Sequence, residues 1–112
     1  MSVHSCAPDP DLQPYAALHG SKQALHPDAG PCFICEGRYL VEEALQAEAS
    51  GILRILSILA TPEAASEWVS RLPAGARLLT LEKARMEALL GFQFHRGILC
   101  CVAQPRRHQK PA

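Results

Sequence analysis

Residues 52–60 read Ile-Leu-Arg-Ile-Leu-Ser-Ile-Leu-Ala, a nearly unbroken apolar run bounded by Ser50-Gly51 before it and Thr61-Pro62 after it. A bilayer span needs about 20 apolar residues, so this run is too short to cross one. It fits a strand buried on both faces of a sheet. Such a strand needs helices above and below, and the flanking sequence supplies them.

Upstream, Cys32-Phe33-Ile34-Cys35 is a short apolar run, after which Leu40, Val41, Ala44 and Leu45 recur at helical spacing until Ser50-Gly51 stops them. Downstream, Thr61-Pro62-Glu63 places a cap, a proline at the first helical position and an acid in the first turn. Ala65, Trp68, Val69 and Leu72 then form an apolar stripe, and Pro73-Ala74-Gly75 ends it. Arg77-Leu78-Leu79 predicts a brief strand, and Thr80 is expected to cap a helix carrying Ala84, Ala88 and Leu89 that Gly91 closes in a left-handed turn. Ile98–Ala103 is the last buried strand.

Strand alternating with helix implies crossover connections, hence an α/β fold with a mostly parallel or mixed sheet of about four strands. The chain has 112 residues, enough for one core and too few for two. Residues 1–31 carry many of the prolines and histidines around a short helical pattern at Leu12, Tyr15, Leu18 and Leu25, and read as a wrapping segment. Residues 32–104 form the domain proper, and residues 105–112, basic and bounded by Pro105 and Pro111, read as a linker.

Eleven basic residues balance eleven acidic ones. That balance excludes the whole-domain positive field of a dedicated high-affinity nucleic-acid binder, so any RNA contact is local and modest. The start lacks the basic and apolar blocks of a secretion signal, and the expected location is cytoplasmic, without a membrane. Five cysteines, at positions 6, 32, 35, 100 and 101, fit reduced, buried thiols better than a disulfide framework.

Two segments offer binding chemistry. Glu36-Gly37-Arg38 stands where a strand hands over to a helix whose first N–H groups carry partial positive charge. Such a corner can hold a phosphate; Gly37 permits close backbone approach, and Arg38 in a first turn opposes the helix dipole unless an anion or Glu42 balances it. The second, Gly91-Phe92-Gln93-Phe94-His95-Arg96-Gly97, offers aromatic rings, an imidazole and a guanidinium for stacking and phosphate contact with single-stranded RNA. Phe92 and Phe94 are read first as anchors of the loop to the core, and Arg96 as the group that meets RNA.

Chemistry of other kinds finds little footing. Cys32 and Cys35 have no second Cys or His pair at zinc spacing, and strand parity points Cys100 and Cys101 to opposite faces. His4, His19, His26 and His108 lack interpretable partners and are read as solvated. No phosphate-binding glycine loop, catalytic triad or dinucleotide fingerprint is present, so no catalytic residue, metal or cofactor is assigned to this chain.

Read in order, Asp9-Pro-Asp-Leu-Gln-Pro-Tyr15-Ala-Ala-Leu18, Phe33-Ile-Cys-Glu-Gly-Arg38-Tyr-Leu-Val41 and Gly91-Phe-Gln-Phe-His-Arg-Gly97-Ile-Leu resemble the amino-terminal domain of TrmH/SpoU-family RNA ribose methyltransferases. The resemblance covers roughly residues 9 to 105. It implies a three-layer α/β/α sandwich of the ribosomal-protein L30e-like type that docks an RNA substrate, ribosomal or transfer RNA. It implies that 2′-O-ribose methylation occurs in a following knotted domain, which binds S-adenosylmethionine and forms a homodimer. The motifs of that domain are not found before Ala112. The residues expected to meet RNA are Gly37, Arg38, Phe94, His95, Arg96 and Gly97.

Two competing readings remain. In one, the same surface recruits a protein partner, and Trp68 with the aromatic loop matters more than the arginines. In the other, the chain is a small enzyme using Cys35 or His95, for which no base, orienter and nucleophile are visible together.

Overall fold

The apolar runs become strands and the 3.6-period stripes become helices. The computed structural model describes residues 10–20, 23–94 and 97–104. The elements in chain order are α1 (Gln13–Ala16), β1 (Leu25–His26), β2 (Gly30–Glu36), α2 (Arg38–Ala49), β3 (Arg54–Ala60), α3 (Pro62–Trp68), β4 (Arg77–Thr80), α4 (Lys83–Leu90) and β5 (Ile98–Ala103). Short 3₁₀ turns flank α1 and follow α3. No described helix is long and apolar enough to cross a membrane.

The sheet has five strands in the order β1-β2-β5-β3-β4, against the expected four. The extra one is β1, two residues paired with Gly30 and Pro31 and too short to leave a period-2 pattern. The sheet is mixed. β3 and β4 are parallel, while β5 runs antiparallel to β2 on one side and β3 on the other. β2, β3 and β4 therefore all point the same way, and their carboxyl ends lie at one end of the sheet with the start of β5.

Both faces are covered. On one, Tyr15 of α1 and Met86 and Leu90 of α4 pack against Leu56, Leu59, Leu79, Leu99 and Cys101. On the other, Val41 and Ala44 of α2 and Ala65 and Trp68 of α3 pack against Ile55, Ile58, Ile98, Cys100 and Val102. Alternation along β5 thus sends Cys100 and Cys101 to opposite faces, and along β2 it separates Cys32 from Cys35. Residues 10–31 do more than wrap the domain, because Tyr15 and Ala24 belong to the core.

One irregularity breaks the alternation. The β3–β5 register shifts between Ile55 and Ser57, so that Leu56 and Ser57 both serve the α1/α4 face. A bulge of this kind inserts one residue and re-aims a side chain. Here it turns the hydroxyl of Ser57, a buried polar residue 1% exposed, toward Tyr15. The Tyr15 hydroxyl lies 2.8 Å from Ser57 Oγ and 3.2 Å from the Ser57 carbonyl. One arrangement satisfies all three groups: the phenol donates to the carbonyl and accepts from the serine.

Helix boundaries follow the local signals where a cap exists. Thr61 Oγ1 accepts from Ala64 N at 3.4 Å and Pro62 opens α3 as expected, and Gly91 ends α4 at φ 85°. Thr80 is not a cap. It is the last residue of β4, Glu82 precedes α4, and the buried residues of that helix are Met86 and Leu90 rather than Ala84 and Ala88. The cause is the pairing of β4 with β3, which holds Thr80 opposite Ala60 and continues as Leu81 N donates to the Ala60 carbonyl at 3.2 Å.

Candidate nucleic-acid interface

The turns at the carboxyl ends of β2 and β3 and the start of β5 are laced together through backbone bonds. Gly37 N donates to the Ile98 carbonyl at 2.9 Å, and Thr61 N donates to the Gly97 carbonyl at 3.1 Å. Gly37 sits at φ 99° and ψ 157°, a region essentially reserved for glycine, and is buried. The two glycines that sequence reasoning drew from distant motifs thus belong to one corner. α2 begins there with no side-chain cap bond and no acid in its first turn, and α4 also begins without a side-chain cap at the same end.

The side chains diverge from that shared corner. Arg38 turns toward the α2/α3 face, where both guanidinium nitrogens meet Glu67 Oε2, Nη1 at 2.6 Å, and Glu42 Oε2 lies 3.7 Å away. It stacks over the Trp68 ring at 5.2 Å, and Arg71 covers the same ring at 4.6 Å while bonding Glu42 at 3.3 Å. The charge conflict of a cation in a first turn is therefore relieved by carboxylates of the chain itself. Trp68 lies beneath these arginines at 1% exposure, which removes it from any docking surface.

Phe94 turns the opposite way. Its ring is 1% exposed in the α1/α4 core, and its N–H donates to Glu87 Oε2 at 2.8 Å. It anchors the loop, and a ring so enclosed cannot stack on a base. Phe92 remains partly exposed. His95 and Arg96 lie outside the described residues.

Groups that the sequence did not single out complete this end. Lys83, Thr61 and Glu63 line a hollow of about 370 Å³ with Phe94 and Gly97, and Arg85 lines another of about 330 Å³ with Pro62, Thr80 and Glu82. Lys83 reaches Glu87 at 3.9 Å; Arg85 is exposed with no ion-pair partner among the described residues. Their signal in the sequence is positional only: each falls at the start of a helix that follows a parallel strand.

No family model, curated protein or solved structure matches this chain.

A second polar cluster occupies the other end of the sheet, where Asp11, His26, Asp28, Arg54 and Arg77 line a hollow of about 270 Å³. His26 Nδ1 accepts from the N–H groups of Asp28 at 3.0 Å and Ala29 at 3.2 Å, which leaves the ring proton on Nε2 to reach Asp11 Oδ1 at 2.5 Å. Arg77 bonds the other Asp11 oxygen at 2.6 Å. The His26 bond and Arg77 hold the Asp11 carboxyl below its ordinary value against the opposing effect of burial. His26 is thus a structural tie with a side chain 10% exposed, in place of the solvated surface expected for it. Both ring nitrogens are occupied, so this pair has no free site for proton transfer. Among the described residues no group of three or more His, Cys, Asp or Glu is arranged to hold a metal ion.

Proposed function

We propose that this chain is an RNA-substrate-binding domain of an S-adenosylmethionine-dependent 2′-O-ribose methyltransferase, docking ribosomal or transfer RNA at the carboxyl end of β2, β3 and β4. The observation that carries this reading is the 2.9 Å bond from Gly37 N to the Ile98 carbonyl. It joins two of the three motifs on which the resemblance to the TrmH/SpoU family rests. A mixed sheet with helices on both faces is compatible with the three-layer, L30e-like plan of that family's amino-terminal domain. Under this reading methyl transfer, its cofactor and the homodimer contact belong to a following domain, and no catalytic step is assigned to these residues.

Binding at this end is weak in this account. Acids interleave with the cations, as Glu63 and Glu82 do with Lys83 and Arg85, and Arg38 is already paired. Among the described residues, Arg85, and Lys83 with its long 3.9 Å contact to Glu87, are the cations offered to phosphates, and the motif adds Arg96 as an expectation. Fluorescence anisotropy with a labelled RNA stem-loop tests the placement. Lys83→Ala and Arg85→Ala each weaken binding evenly across RNA sequences and reduce the salt slope by about 1. Arg54→Ala, at the opposite end of the sheet, leaves binding unchanged; a loss confined to Arg54→Ala moves the interface away from this corner.

A protein-recruiting surface is the second reading. It is favoured by Tyr39 and Leu40, which stand 74% and 46% exposed in the first turn of α2. Tyr39→Ala then abolishes complex formation with the partner and spares RNA binding.

A further inference from the structure

The pairing of β2 with β5 sorts four thiols into two couples, one on each face of the sheet. Cys35 stands directly opposite Cys100 and shares the α2/α3 face with it. Cys32 stands opposite Ala103, so it meets Cys101 only diagonally, on the α1/α4 face.

The two couples differ in reach. The bonds Gly37 N to Ile98 O and Gln104 N to Pro31 O fix the phase of the ladder, and in that phase Cys35 and Cys100 form a hydrogen-bonded pair. Residues so placed have Cα atoms about 5.5 Å apart, within the span of a disulfide; the Cys32 and Cys101 side chains also meet, but as diagonal neighbours their Cα atoms stand about 7–8 Å apart, beyond it. They differ also in access. Cys35 is partly exposed, whereas Cys32, Cys100 and Cys101 are buried. β1 pairs only with Gly30 and Pro31 and so stops short of Cys35.

We propose that Cys35 and Cys100 are a peroxide-sensitive dithiol, with Cys35 the attacking sulfur and Cys100 the resolving one. The Cys35 thiolate attacks one oxygen of hydrogen peroxide and breaks the O–O bond. Cys35 becomes a sulfenic acid, and the leaving hydroxide takes a proton to form water. The Cys100 sulfur then attacks the Cys35 sulfur, the S–O bond breaks, and the departing hydroxide takes the Cys100 proton as a second water. Two thiols and one peroxide give one disulfide and two waters; the peroxide gains two electrons and each sulfur loses one.

Local chemistry supports the assignment of roles. The thiol of Cys100 donates to the Cys35 sulfur and holds Cys35 below the ordinary thiol value against the effect of burial. That same bond, with burial, pushes Cys100 far up. A lowered, partly exposed thiol suits the attack on peroxide, and Cys100, which holds its proton, resolves as the departing hydroxide takes that proton. Directly opposed residues hold their Cβ atoms up to about 5.5 Å apart, and a disulfide needs about 3.5–4.5 Å, so closure draws the strands together. The resulting strain makes the bond easy to reduce, as a reversible modification requires. The cross-link lies two residues before Gly37.

The test uses the full chain, reduced, desalted and exposed to limiting hydrogen peroxide, then denatured, alkylated and mapped by mass spectrometry. Two of the five thiols escape alkylation, a peptide pair joins Cys35 to Cys100, and dithiothreitol reverses the change. Cys35→Ser abolishes the cross-link, and Cys32→Ser leaves it intact. Cys100→Ser accumulates a dimedone-reactive Cys35; should that buried substitution prevent folding, a brief dimedone pulse on the wild-type chain labels Cys35 ahead of the other thiols. A cross-link between Cys32 and Cys101, one through Cys6, or dimedone labelling that spares Cys35 overturns the proposal.

Discussion

Gly37 donates its amide proton to the carbonyl of Ile98 at 2.9 Å, and it does so from a backbone conformation, φ 99° and ψ 157°, that a side chain does not tolerate. Replacing it forces the corner to choose between strain and loss of the bond. Gly37→Ala is therefore expected to lower stability by about 1–3 kcal/mol, read as a shifted urea midpoint with an unchanged slope. A variant as stable as the parent contradicts the geometry of the corner.

Tyr15 and Ser57 are coupled through a bond buried in the core. Burial pushes the Tyr15 hydroxyl well above the ordinary phenol value, so it remains protonated. Tyr15→Phe strands the serine hydroxyl away from water and costs about 1–3 kcal/mol. Ser57→Ala removes the bond that the phenol accepts but keeps its donation to the carbonyl of residue 57, so it costs less than Tyr15→Phe. The double substitution costs less than the sum, and denaturation of the four proteins in a double-mutant cycle measures the difference.

Much of this architecture is legible in residues 32–103. Thr61-Pro62 and Gly91 announce helix ends because capping is local chemistry. The parity that separates Cys100 from Cys101 follows from the strand repeat alone. The position of β5 between β2 and β3 does not, because strand order is decided by packing between distant segments. The Ser57 bulge is similarly hidden: its reason is Tyr15, 42 residues away. Thr80 has the residue type of a cap, but pairing with Ala60 keeps it in a strand. At the candidate interface the two glycines were visible from their motifs, whereas the turn of Arg38 toward Glu67 and of Phe94 into the core depended on which layer each helix joins.

The Asp11–His26–Arg77 cluster gives stability a pH dependence whose sign follows from its lowered carboxyl. A carboxyl held down in the folded state contributes fully above its unfolded value and loses that contribution as pH falls through the lower folded one. The window thus lies below the ordinary value of 3.8. Asp11→Asn flattens the fall in thermal midpoint between pH 4 and lower values, measured by circular dichroism; an undiminished fall assigns the acid sensitivity to other groups.

Arg38 is tied to Glu67 and Glu42 at the surface, with its side chain 52% exposed. Exposed pairs contribute little, so Arg38→Ala is expected to cost no more than about 1 kcal/mol. Because Trp68 is the one tryptophan in the sequence and carries Arg38 on its face, its fluorescence reports the removal directly. A shifted emission maximum with a nearly unchanged urea midpoint is the expected result.

The salt dependence of RNA affinity tests the central claim most directly. With two or three phosphates neutralised, the affinity of a structured RNA plotted against salt on logarithmic axes falls with a slope of about −1 to −3. Absence of binding at low salt, or a much steeper slope, contradicts an interface built from so few cations.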